Sequence, residues 1–155
     1  MVSGWYGVAL MAHLVAVVVW VGGMFFAYMV MRPIVVEQLE GPPRLRFFVQ
    51  AFSRFFLWVF LCVFLAVASG YAMIAMAGGM RELAVHIHIM QGLGLLMTLL
   101  FLYLYLLPFK AMRTCVRTQR WPDAVRALGR IRQIIAANLV LGLITVLVGA
   151  SRGLV

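Results

Sequence analysis

Val85-His86-Ile87-His88-Ile89-Met90-Gln91-Gly92 opens an apolar run that continues to Leu107. A run of that length reads as a membrane-spanning helix, because about 20 apolar residues cover the hydrocarbon core. Ionisable side chains inside such a span need a partner or a task. Two of the three histidines in the chain stand at the head of this span, and the third, His13, lies inside another apolar run.

Working outward from this stretch, Gly78-Gly79 and Arg81-Glu82 form a very short turn from the span before it, about residues 55–77. So tight a turn makes the two spans, 55–77 and 83–107, antiparallel neighbours. The first span covers about residues 5–31. It opens on Trp5 and Tyr6 and closes at Arg32-Pro33, where proline disfavours helix in the residue before it. His13, Ala16, Val17, Trp20, Gly23 and Ala27 share one face of it. Gly23 and Ala27 on that face allow another helix to approach closely, so His13 looks toward a packing surface rather than lipid. Gly41-Pro42-Pro43 breaks any helix in the first long connection, and Arg46 to Phe56 reads as an interfacial stretch. In the second long connection Trp121-Pro122-Asp123 looks like a helix start. The last span, about 131–150, carries Asn138, Gly142, Thr145 and Gly149 as a small and polar stripe suited to inward packing.

With 66% apolar residues and a mean hydropathy of +1.08 over 155 residues, the composition excludes a soluble globular domain. The spans use up most of the chain and leave only loops, so residues 1–155 read as one membrane domain. The N-terminal run is too long for a signal-peptide core and reads as a retained span. A net charge of +9 would suggest nucleic acid in a soluble protein. Here the cations flank apolar spans, so the expectation is no nucleic acid and contact with membrane lipids instead. All of the 13 basic residues except Arg81 and Arg152 fall in or beside the two long connections. The positive-inside rule then places both connections in the cytoplasm. The expected fold is an all-α membrane protein, a four-transmembrane-helix up-down bundle with both termini on the outer, periplasmic side. The expected location is a bacterial-type inner (plasma) membrane. Cys62 reads as a buried small hydrophobe and Cys115 as an unpaired loop thiol.

This topology puts His13, His86 and His88 in the outer half of the membrane. Imidazoles facing each other across a bundle supply both axial ligands of a haem iron. His86 and His88 are two residues apart, about 200° around a helix, so only one faces a given partner. His88 shares its face with Gln91, Gly92, Leu95 and Leu99, and His86 with Met90, Leu93 and Met97. The small and polar neighbours favour His88 as the inward histidine and His13–His88 as the ligand pair, with His86 as substitute. Arg81 and Arg152, the outer cations, would meet the haem propionates. Hydrogen bonding of His86 and His88 to water or headgroups, and headgroup contact of both arginines, are the competing accounts. Copper is the alternative metal. Met11, Met73, Met76, Met80 and Met90 gather toward the same outer end, and thioether with imidazole suits Cu(I). The sequence holds no nucleophile with a base, no paired carboxylates and no phosphate-binding glycine loop.

Two resemblances carry the reading further. His13 through Phe26 (HLVAVVVWVGGMFF) with Arg32-Pro33, His88-Ile89-Met90 through Gly94 and Met97, and Arg130-Ile131-Arg132 followed by Asn138 and Gly142 resemble the CopD-type membrane protein family over most of the chain. That resemblance implies copper uptake or resistance. His13, Trp20 and Gly22 or Gly23 are distantly similar to the first helix of the HemJ-type protoporphyrinogen oxidase, a four-span haem-associated membrane protein. The Arg-Leu-Phe-Val-Tyr-His continuation and Asn-Glu-x-Pro element of that enzyme are absent here. The leading expectation is a small b-type haem protein, a membrane oxidoreductase passing electrons near the outer face to or from a quinol or an external redox partner. The alternatives are copper handling by His13, His86, His88 and Met90, and a structural or assembly subunit. The small-residue faces also suit a homodimer.

Overall fold

The computed structural model describes residues 4–79 and 84–151. Among the described residues four helices are long and apolar enough to cross a membrane: α1 (Gly4–Gln38), α2 (Gly41–Met76), α3 (Val85–Arg117) and α4 (Trp121–Ala150). They form an up-down bundle. α1 packs chiefly on α2, α3 chiefly on α4, and α1 also meets α4. α2 and α3 meet mainly through rings, with Phe60–Tyr105 and Phe60–Phe101 centroids 4.8 Å apart and Phe56–Phe109 at 4.9 Å. Large side chains such as Leu57, Trp58, Phe64, Leu99 and Leu147 stay exposed on the outside. This is the surface a bilayer covers.

Both early helix boundaries differ from expectation, and each for a backbone reason. α1 does not stop at Arg32-Pro33. A π turn over Phe26–Met31 precedes the proline, and the Arg32 N–H bonds to the Ala27 carbonyl five residues back. The wider turn absorbs a residue that lacks a donor and would clash with the preceding turn. α3 repeats the device at Tyr105–Phe109, which contains Pro108. α2 begins at Gly41, far ahead of residue 55, with its prolines in the first turn, where a missing N–H leaves no bond unmade. At the other end of α2, Gly78 and Gly79 take φ of 93° and 97°, a left-handed conformation that ends the helix where glycine was expected to end it. α4 starts at Trp121 with Pro122 and Asp123 in its first turn, as expected, and Asp123 pairs with Arg120 and Arg126.

The core is uneven along the bundle axis. Trp20, Phe48, Phe52, Phe56, Phe101, Phe109, Met112 and Ile131 are buried toward the basic end. At the opposite end none of residues 4–15, 70–76, 85–96 or 143–150 is fully buried. All three histidines lie on this looser end, called here the histidine end.

Candidate functional site

His13 is half-buried and points at α2. Its Nδ1 lies 2.9 Å from the Ala66 carbonyl oxygen and 3.2 Å from Ser69 Oγ. A carbonyl only accepts, so Nδ1 donates, and in the neutral ring the lone pair is then on Nε2. Ser69 donates in turn to the Leu65 carbonyl. A metal-binding imidazole has this form, one nitrogen held by a carbonyl and the other available. The expected packing face is confirmed around it: Ala16, Trp20 and Ala27 are buried, and a Cβ on Gly23 would stand 2.5 Å from the Phe55 ring.

On α3 the helical phase is the reverse of that expected. His88 is exposed, with Leu95 and Leu99 on the same outward side, whereas His86 is half-buried above Met90 and the buried Met97. The reason lies on α4. A Cβ on Gly149 would meet Met90 Cε at 3.0 Å and Sδ at 3.3 Å, and one on Gly142 would meet Met97 Cε at 3.1 Å. The two methionines are thus seated on the two glycines, each pair seven residues apart. Asn138 adds an interhelical bond, its Nδ2 donating to the Met97 carbonyl at 3.2 Å. The Thr145 hydroxyl, donating to Leu141, lies 3.9 Å from Met97 Sδ. His13 and His88 are therefore not presented to each other across the bundle. The equal spacing of the methionines and the glycines was the signal available in the sequence.

Depth can be built from the same contacts. Val21 of α1 and Met97 of α3 both touch Gly142, which places them at one level. His13 is eight residues toward the histidine end from Val21, and Met90 is seven from Met97. At about 1.5 Å per residue the two climb roughly 10–12 Å and end at similar depth. His86 stands one turn further out on α3, and half-buried Met73 one turn beyond Ser69 on α2. Three helices thus bring imidazole and thioether groups to one end of the bundle. Met11 and Met76 are exposed there. Arg81, Arg152 and Met80, also expected at this end, lie outside the described residues.

Among the described residues no three His, Cys, Asp or Glu side chains converge. A soft-metal site built from these residues draws on methionine sulfur. Cys62 and Cys115 are both buried and free; Cys115 is helical, in the last turns of α3 against α4, and the reading of it as a loop thiol is corrected.

Comparison with curated proteins and with solved structures gives no match. A family model described as CopD, copper resistance protein D, matches residues 49–152, which include α3, α4 and nearly all of the membrane-crossing length of α2. The chain belongs to the CopD family of multi-pass membrane proteins.

Proposed function

We propose that this protein handles copper, taking Cu(I) as its cargo at the histidine end of the bundle through His13 and Met90. His86 and Met73 stand one turn further out as entry ligands, and Met97 lies deeper. The observations that carry this reading are the half-buried His86 and Met90 above the buried Met97 on α3, and the tethered His13 on α1, which the helix rise puts at about the depth of Met90. Soft thioether and imidazole donors select Cu(I) over harder divalent ions. Beneath Met97 the way is closed by Trp20, Phe56 and Phe101, rings in edge contact at 5.6–6.4 Å. Passage to the basic end therefore requires these rings to move. A closed bundle of this kind holds copper until a conformational change or a partner releases it. The skew of positive charge toward the long connections supports an orientation with the histidine end outside a bacterial-type plasma membrane.

The test is anaerobic Cu(I) titration of the detergent-purified full chain against a colorimetric chelator. Wild type is expected to compete, Met90→Leu and His13→Ala to lose affinity, and the outward-facing His88→Ala to retain it. Failure of the wild type to compete, or equal losses in His88→Ala and Met90→Leu, would refute the assignment.

A second reading keeps the haem. The carbonyl-tethered His13 is also the form of an axial haem ligand, with His86 rather than His88 as the inward candidate on α3. A reduced-minus-oxidised spectrum of protein from a haem-sufficient host separates the two. Haem bands lost in His13→Ala favour this second reading; a spectrum without them leaves the copper reading.

A further inference from the structure

At the basic end, away from the histidines, α1, α2 and α4 enclose a cleft of about 340 Å³. That volume is within the range of pockets that hold small organic ligands. Its lining is divided by chemistry. Arg32 from α1, Arg44 from α2 and Arg132 from α4 supply the polar part, and apolar walls including Phe48 and Phe52 supply the rest. Each arginine comes from a different helix, so their convergence is a tertiary feature and not a charged stretch of chain. Among the described residues none of the three pairs with a carboxylate, and Glu37 and Glu40, the nearest acids in sequence to Arg32 and Arg44, are exposed and do not line the cleft. Arg32 follows directly on the π turn, and its guanidinium lies over the Tyr28 ring at 5.5 Å, which fixes its direction. Gly129 forms part of the α4 wall, and a Cβ there would meet nothing within 4 Å. The wall is held back where it lacks a side chain.

We propose that this cleft binds one anionic phospholipid, its phosphate held by Arg32, Arg44 and Arg132 and the upper part of an acyl chain lying against Phe48 and Phe52. Guanidinium forks match phosphate oxygens, and unpaired cations at a membrane interface attract acidic headgroups. A zwitterionic lipid brings its own cation and gains less. A free phosphate fills only the arginine part and leaves the apolar walls unused. The bound lipid would tie the basic ends of α1, α2 and α4 together, where three like charges otherwise repel.

Native mass spectrometry of the full chain, released from micelles carrying phosphatidylglycerol or phosphatidylcholine, reads this directly. Phosphatidylglycerol is expected to be retained at about tenfold lower concentration or less than phosphatidylcholine. The triple variant Arg32→Gln, Arg44→Gln, Arg132→Gln should erase that preference, and the matching triple lysine variant should keep most of it. Gly129→Leu fills the cleft without changing charge and should abolish retention, whereas Gly129→Ala should not. Arg117→Gln with Arg130→Gln removes charge outside the cleft and should leave retention intact. Equal retention of the two lipids overturns the proposal, as does an equal loss in the Arg117/Arg130 pair, which would mean bulk surface charge. Unchanged retention in Gly129→Leu, or displacement by inorganic phosphate as effective as by lipid, also overturns it.

Discussion

The Nδ1 of His13 donates to the carbonyl oxygen of Ala66 across 2.9 Å, tying α1 to α2 and turning Nε2 away from that bond, where the neutral ring carries its lone pair. Removing the ring removes both the tether and the ligand. His13→Ala is therefore expected to weaken Cu(I) binding by about 10- to 100-fold, the scale seen when a metal site loses its support. Ser69→Ala leaves the Ala66 carbonyl in place and should weaken binding by no more than about a few-fold. A chelator-competition titration of both variants checks this. Equal losses would mean that the hydroxyl, not the carbonyl, holds the ring.

The two glycines of α4 make opposite predictions. At Gly142 a methyl group would stand 2.9 Å from Val21 Cγ2 and 3.1 Å from Met97 Cε, with α1 and α3 both pressed on the site. Gly142→Ala is expected to destabilise the bundle by about 1–3 kcal/mol, as overpacking does. At Gly149 the methyl group meets only the far end of Met90, a flexible side chain that can turn aside. Gly149→Ala should leave unfolding in a denaturing-detergent titration nearly unchanged while lowering Cu(I) affinity. A large stability loss at Gly149 with intact affinity would show that Met90 is packing alone.

The four spans were legible in the sequence because apolar length is a property of each segment by itself. The glycine stop at Gly78-Gly79 and the start at Trp121-Pro122-Asp123 were legible for the same reason. The end of α1 was not. Whether Pro33 terminates a helix depends on whether the preceding turn can widen to π, and Phe26–Met31 carries no residue that announces it. The phase of α3 was hidden more deeply. Within α3 the faces of His86 and His88 both carry leucine, and the small or polar neighbours of His88 do not mark the inward one. What decides between them is the seating of Met90 and Met97 on Gly149 and Gly142, a match between two helices. Likewise the His13 tether needs a particular carbonyl of α2, and no pattern within α1 identifies it.

Asn138 offers a test of how polar groups act in this core. It is buried; its Nδ2 donates to the Met97 carbonyl, while its Oδ1 has no partner among the described residues. An interhelical hydrogen bond in a membrane contributes on average about 0.6 kcal/mol, and an unsatisfied buried oxygen offsets that. Asn138→Leu, which removes both at similar volume, should change stability by no more than about 1 kcal/mol. Asn138→Asp would place a carboxylate among Trp20, Phe56 and Phe101 and should unfold the bundle or prevent its assembly. Unfolding curves for the two variants check this. A severe loss in the leucine variant would mean that the amide specifies the α3–α4 pairing.

Cys115 gives a check on the basic end that is independent of metal and lipid. It lies in the helical segment Lys110–Arg117 and is only 6% exposed, and Cys62 is 4% exposed in the middle of α2. Thiol reactivity needs access as well as thiolate. Neither cysteine should react with a water-soluble maleimide in the folded, detergent-solubilised protein, and both should react once it is denatured. If residues 110–117 were instead an exposed loop, Cys115 would label within minutes in the native state while Cys62 stayed protected. Cys115→Ser separates the two signals. Rapid native labelling that disappears in that variant would refute the packing of the end of α3 against α4.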